Sequence, residues 1–327
     1  MQRFLAVFGA FAGLLFLSLP SLAPAQGTAL EMLSVQGNVS MIAGAGGNIA
    51  VQTGTDGVIV VDSGSGTQSD AVLAAIKRLS DQPIRYVINT SADDDHVGGN
   101  QVIAAAGRPL ASLAGNAGPQ LGGPQGAVVA ASEPVLLRMS TPISPATATK
   151  YPVTAWPSET FPIRKNLYLN GEGIQVLHQP AAHSDGDAIV FFRKSDVIAV
   201  GEIMNTSRFP VIDVPHGGSI NGEIDALNGL VNLVLPQSPL AWRDGGTQVI
   251  PGHGRIADQS DVIEYRDMVT VVRDRVKAQI KDKKTLEQVL ASLPALGYQH
   301  RYGATSGPWT TKMFIEAVYA SLSQEKR

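Results

Sequence analysis

The chain contains no cysteine. Disulfides and thiolate ligands are therefore excluded, so stability rests on packing and any metal must be held by His, Asp or Glu. Charge is sparse as well: Asp, Glu, Lys and Arg make up 16% of the residues, and the formal net charge is -3. With no dense Lys/Arg block there is no footprint for phosphate-driven binding, and nucleic acid is not expected as a partner. The most basic run, KAQIKDKK near residue 280, reads as the solvated face of a helix. A membrane-spanning run is missing too, because the N-terminal apolar stretch at residues 4–19 falls short of the roughly 20 residues a bilayer needs.

That stretch has a different meaning. Arg3, the apolar run, Pro20 and then Ala23-Pro24-Ala25 form a secretory signal with a small-x-small cleavage site. The expected mature protein begins after Ala25, is exported to the periplasm or secreted from a bacterium, and keeps no membrane anchor. With no cysteine beside the cleavage site, a lipid cannot be attached there. The remaining chain, 44% hydrophobic over the full 327 residues, can bury a substantial core as one large domain or two fused halves.

Beyond the signal, residues 33–64 read as three β-runs separated by Gly, Asn and Asp turn signals. TQSDAVLAAIKRLSD then places Val72, Leu73, Ile76 and Leu79 on one helical stripe, with Ser69 as its cap, and RYVINT returns to strand. A Gly- and Pro-rich loop follows from about residue 113, leading to a helix near Glu133, and a Pro- and Thr-rich connection containing Trp156 joins the two halves. The second half repeats the theme with strands, a helix over residues 219–235, the strand-turn TQVIPGHG, a long amphipathic helix from about residue 258, and a closing helix. Strands and helices alternating twice over predict an α/β fold, a four-layer αβ/βα sandwich.

Candidate ligands cluster at the ends of predicted strands, where a scaffold can hold side chains rigidly yet leave them open. They are Asp93, Asp95 and His96; His183 in PAAHSDGD; Glu202 in VIAVGE; and His253 in VIPGHG. In an extended segment Ser91, Asp93 and Asp95, spaced by two, would face one point with His96 beside them. Imidazoles and carboxylates converging in this way suit Zn, Fe or Mn better than Ca or Mg.

These blocks resemble the metallo-β-lactamase superfamily from about Glu31 to Lys281. GVIVVDSG is similar to that family's strand ending in Asp-x-Gly, INTSADDDHVGGN to its His-x-His-x-Asp-His segment, and PAAHSDGD, VIAVGE and VIPGHG to its later ligand blocks. Ser91 stands where the first histidine would be, Asp93 where the second would be, and Glu202 where a bridging Asp is usual. The resemblance implies a single domain over residues 26–327, with a C-terminal helical extension from about residue 284. It also implies a metal site at Asp95, His96 and His253, with His183, Asp93 and Glu202 available to it or to a second ion. Zinc is the first expectation, as one ion or two, with iron or manganese as alternatives.

Under that resemblance Asp95 and Asp93 are the candidate catalytic residues, Asp93 or Glu202 orienting a water as general base. Asp62 and Ser91 stand behind the ligands, Asp62 positioning one of them through hydrogen bonds. The expected function is an exported hydrolase whose metal-activated water attacks an ester, lactam, lactone or thioester in a small-molecule substrate. A metal-poor binding protein on the same fold and an iron-dependent redox enzyme are the alternatives.

Overall fold

A computed structural model describes residues 29–110, 126–142, 149–237 and 245–324. The segment expected to be a signal and most of the Gly- and Pro-rich loop lie outside these residues. The first sheet has seven strands in sequence order: β1 (Glu31–Gln36), β2 (Val39–Ala43), β3 (Ile49–Gln52), β4 (Val58–Val61), β5 (Ile84–Ile88), β6 (Val128–Ser132) and β7 (Glu159–Phe161). The first four are an antiparallel meander and the last three add in parallel. Four strands therefore stand where the turn signals predicted three.

Helix α1 (Ser69–Leu79) forms the crossover between β4 and β5. Its stripe packs as predicted: Val72 and Ile76 are buried, and Leu73 and Leu79 lie against the same cluster. Ser69 does not cap it; it is the first helical residue, and its hydroxyl donates backward to the Gly66 carbonyl at 2.8 Å. Three short helices follow in this half: α2 (Asp94–Val97), α3 (Asn100–Ala105) and α4 (Glu133–Ser140).

The second sheet contains β8 (Arg164–Leu169), β9 (Glu172–Gln179), β10 (Asp187–Phe192), β11 (Val197–Ala199) and β12 (Gln248–Ile250), with β12 added in parallel to β11. Helix α5 (Ile220–Leu233) begins at Ser219, whose Oγ accepts the Gly222 N–H at 2.9 Å. The long α6 (Gln259–Lys281) opens with a reciprocal box between Asp258 and Asp261. Helices α7 (Leu286–Ala291), α8 (Gln299–Tyr302) and α9 (Thr311–Gln324) complete this side.

Alternation along the strands makes the layers. In β4, Ile59 and Val61 point between the sheets toward Ile174, Val176 and Val190, whereas Val58 and Val60 point outward onto α1 and α3. All four are buried, which is why this strand reads as a continuous apolar run. The outer face of the second sheet, with Ile189, Ile198 and Val249, packs under α5, α6 and α9. Helix, sheet, sheet and helix form the four-layer sandwich, and the loops at one end of both sheets converge on the polar residues.

Candidate metal centre

Asp62 follows β4 directly and takes a left-handed backbone, φ 63°. This turn tucks its carboxylate beneath the end of β5. There it accepts the Thr90 N–H at 2.8 Å, the Thr90 hydroxyl at 2.6 Å and the His96 Nδ1–H at 2.8 Å. The fully buried His96 ring is thereby fixed, with Nε2 aimed into the space between the loops.

The extended arrangement expected for Ser91, Asp93 and Asp95 does not occur. The chain leaves β5 at Ile88, Asp93 becomes the cap of α2, and Asp94 to Val97 are helical, so side chains two apart no longer share a face. Ser91 is buried, and its Oγ accepts the Asp93 N–H at 3.2 Å, shaping the turn. Asp93 and Asp95 approach different partners, while Asp94 points outward and pairs with Lys150 and Tyr151. Gly46, at φ 101°, presses on Asp95 from the β2–β3 turn; a Cβ there would lie 2.7 Å from that of Asp95.

The second sheet supplies the rest. Gly201, at φ 52°, passes so close to Thr90 that a Cβ would sit 2.3 Å from its hydroxyl, and this turn directs the following Glu202 inward. The His253 loop is tied to the first sheet by Asn48, whose Nδ2 donates to the Pro251 carbonyl at 2.9 Å and the Gly254 carbonyl at 3.0 Å. His183 donates from Nδ1 to the Val211 carbonyl at 2.9 Å, so Nε2 is the ring atom that faces the other groups.

Two overlapping groups result, each with ligand atoms within 4.8 Å of one another: Asp95, His96, Glu202 and His253, and Asp93, His183 and Glu202. Glu202 Oε1 lies 3.0 Å from His96 Nε2 and 2.7 Å from His253 Nε2, and Asp95 Oδ2 lies 3.3 Å from His253 Nε2. In the other group His183 Nε2 is 2.9 Å from Asp93 Oδ2. Despite these distances His183 Nε2 and His253 Nε2, both buried, are not aligned in a hydrogen bond among the described residues. His96 Nε2, by contrast, is hydrogen-bonded to Glu202 Oε1 at 3.0 Å. Two imidazoles and two carboxylates whose ligand atoms lie this close together have the chemistry to hold a metal cation.

Electrostatics bind the cluster further. Burial alone would raise the carboxyls of Asp93, Asp95 and Glu202, but the facing imidazoles hold all three below the usual carboxylate range, Glu202 far below it. Burial would likewise strip protons from His96, His183 and His253, yet the carboxylates keep them on, most strongly at His96 and His183.

Sequence reasoning missed several residues around this cluster. Asp187 is completely buried behind His183; burial, opposed by His183 and by the Ser184 N–H it accepts at 2.6 Å, pushes its carboxyl up to about 6. Glu223 on α5 is fully buried with neither oxygen hydrogen-bonded among the described residues, and burial followed by repulsion from Asp187 pushes its carboxyl well up. Its signal was legible: an acid between Ile220 and Ile224 on the apolar stripe of a helix. Arg208 and Trp309 line a cavity of about 380 Å³ with Asp93, Asp95, His183 and Glu202. Trp156, by contrast, packs beside Val135 and Met139 and donates to the Tyr151 carbonyl at 3.0 Å.

With fold and site in view, the comparisons agree. The profile of the metallo-beta-lactamase superfamily matches residues 42–235, more than half of the chain, and the protein belongs to that superfamily. Among solved structures, it is similar to a metallo-beta-lactamase from Pontibacter korlensis, at 16% identity, 74% coverage of this chain, 99% of that one and a TM-score of 0.52. It is also similar to the stereoselective inverting sec-alkylsulfatase Pisa1 from Pseudomonas sp., at 13% identity, 89% coverage of this chain, 50% of that one and a TM-score of 0.60. At such identities the likeness carries the fold alone. No curated protein matches the chain. Among the described residues, no helix is long and apolar enough to cross a membrane.

Proposed function

We propose that this protein is an exported, metal-dependent hydrolase of a small-molecule ester, lactam, lactone or thioester, formed as a single domain after cleavage at Ala25. The observation that carries this reading is the four-residue group, in which Glu202 joins Asp95, His96 and His253 as a fourth donor. These four would hold one cation, zinc first. A bound cation supplies Lewis acidity and brings the pKa of a water toward neutrality.

The chain's own residues do the remainder. Asp62 fixes the orientation of His96, and Asn48 that of the His253 loop. Asp93 belongs to the adjacent group and shares the cavity with Asp95, which places it to accept the proton of an attacking water. His183 keeps that carboxylate in place through its own bond to Val211.

Elemental analysis of protein purified without added metal, combined with a panel of nitrophenyl esters, lactones and thioesters, tests the proposal. About one equivalent of zinc, iron or manganese and hydrolysis that disappears with chelation are the expected results. Less than about a tenth of an equivalent after metal is offered, with no turnover, would falsify it. Iron accompanied by oxygen consumption would instead favour redox chemistry. Amino-terminal sequencing of the exported protein checks cleavage after Ala25.

A further inference from the structure

The cavity beside the two groups has a wall unlike its floor. The floor is acidic, with Asp93, Asp95 and Glu202, but each of these faces an imidazole. Asp213, also in the lining, is paired with His216 at 2.6 Å. Arg208 is paired through one nitrogen only, at the long end of the hydrogen-bond range. Its Nη2 donates to Glu202 Oε2 at 3.4 Å, a carboxylate already shared by two imidazoles, and its buried Nε has no hydrogen bond among the described residues.

Arg208 is held firmly. Its N–H donates to Asn205 Oδ1 at 3.1 Å, and its carbonyl accepts from the Tyr265 hydroxyl at 3.3 Å. The next residue, Phe209, donates its N–H to the Tyr302 carbonyl at 3.1 Å and stacks on Phe314 with ring centroids 4.7 Å apart. The same C-terminal region provides Trp309, whose Nε1–H donates to the Pro210 carbonyl at 3.1 Å and whose ring joins Val211, Ile212 and Pro215 in the lining. A guanidinium with spare donors next to an apolar, aromatic wall is a complementary surface for an anion attached to an apolar body.

We propose that this cavity is a specificity subsite for an apolar monoanion, with Arg208 binding the charge and Trp309 the body, so that the substrate carries such a group next to the bond cleaved. Its relation to a bond cleaved rests on the hydrolase reading above; its binding chemistry does not. The two residues that define it come from outside the ligand set, and one of them, Trp309, lies outside the family-matched residues.

Calorimetric titration of the full mature protein, zinc-loaded, with 4-phenylbutyrate and its neutral amide tests this. The acid should bind about tenfold tighter than the amide or better. Arg208→Gln should remove that preference and leave amide binding unchanged, Arg208→Lys should retain part of it, and Trp309→Leu should weaken both ligands by roughly tenfold. Zinc content and circular dichroism matching the wild type show that each variant is folded and loaded. A wild type without preference for the acid, or an Arg208→Gln protein that keeps it, overturns the proposal; the latter would place the anion on the metal itself. Binding requires no turnover, so a protein that hydrolyses nothing yet shows this pattern loses the hydrolase reading and keeps the subsite.

Discussion

The two ligand groups share Glu202 but are built to different standards. Around His96, three donors converge on Asp62, Gly46 closes over Asp95, and Asn48 clamps the His253 loop, so each donor is held from behind. Around His183 the support is a single backbone carbonyl, and behind it lie two buried acids, Asp187 and Glu223, whose carboxyls are both pushed upward. A preorganised set of donors loses little on receiving a cation, whereas a set backed by protonatable acids can adapt its charge. The difference argues for a strong position in the first group and a working carboxylate in the second.

Substitutions can break or sharpen that contrast, beginning with the largest expected effect. His253→Ala removes a donor from the stronger group alone, and metal affinity measured by chelator competition should fall by more than about a hundredfold, with hydrolysis lost. Asp93→Asn addresses the weaker group; bound metal should remain near one equivalent while turnover drops by about a hundredfold or more. Equal loss of metal in both variants would erase the distinction between the groups.

Asp62→Asn leaves every donor present but frees the His96 ring. Metal affinity should weaken by roughly tenfold, since the neutral amide accepts poorly from an imidazole N–H. The smallest effect is on stability. Because Glu223 has a folded-state pKa above its unfolded one, the folded protein binds the extra proton, and stability falls as pH rises from the unfolded value through the folded one. Glu223→Gln removes that loss, so it should be more stable than the wild type by about 1 kcal/mol above this window and nearly equal below it. Thermal unfolding across pH reads the sign directly, and a variant that is less stable at high pH would mean Glu223 is partnered.

Much of this was legible in the chain. The stripe at Val72, Leu73, Ile76 and Leu79 and the apolar β4 carry their periodicity openly, and the ligand-bearing blocks stand at strand ends that turn residues mark. The failure at Ser91, Asp93 and Asp95 has a local cause: alternation holds only while the strand continues, and here the chain turns into α2 at Asp93. Ser69 illustrates the same limit, as a hydroxyl one position from a helix start can either cap or merely begin it. Arg208 and Trp309 carry no motif, because what makes them neighbours is the docking of α8 and α9 onto the loop after Glu202. Contacts between segments so distant in sequence leave no periodic trace.

Asn48 is a tie between distant parts of the chain. It bonds a turn near the start of the first sheet to the loop that carries His253, near the start of α6. The full donor set thus exists only once both sheets have formed and closed on each other. A partly folded chain carries no assembled pocket, so any ion this cluster holds is taken up only after the two sheets have closed.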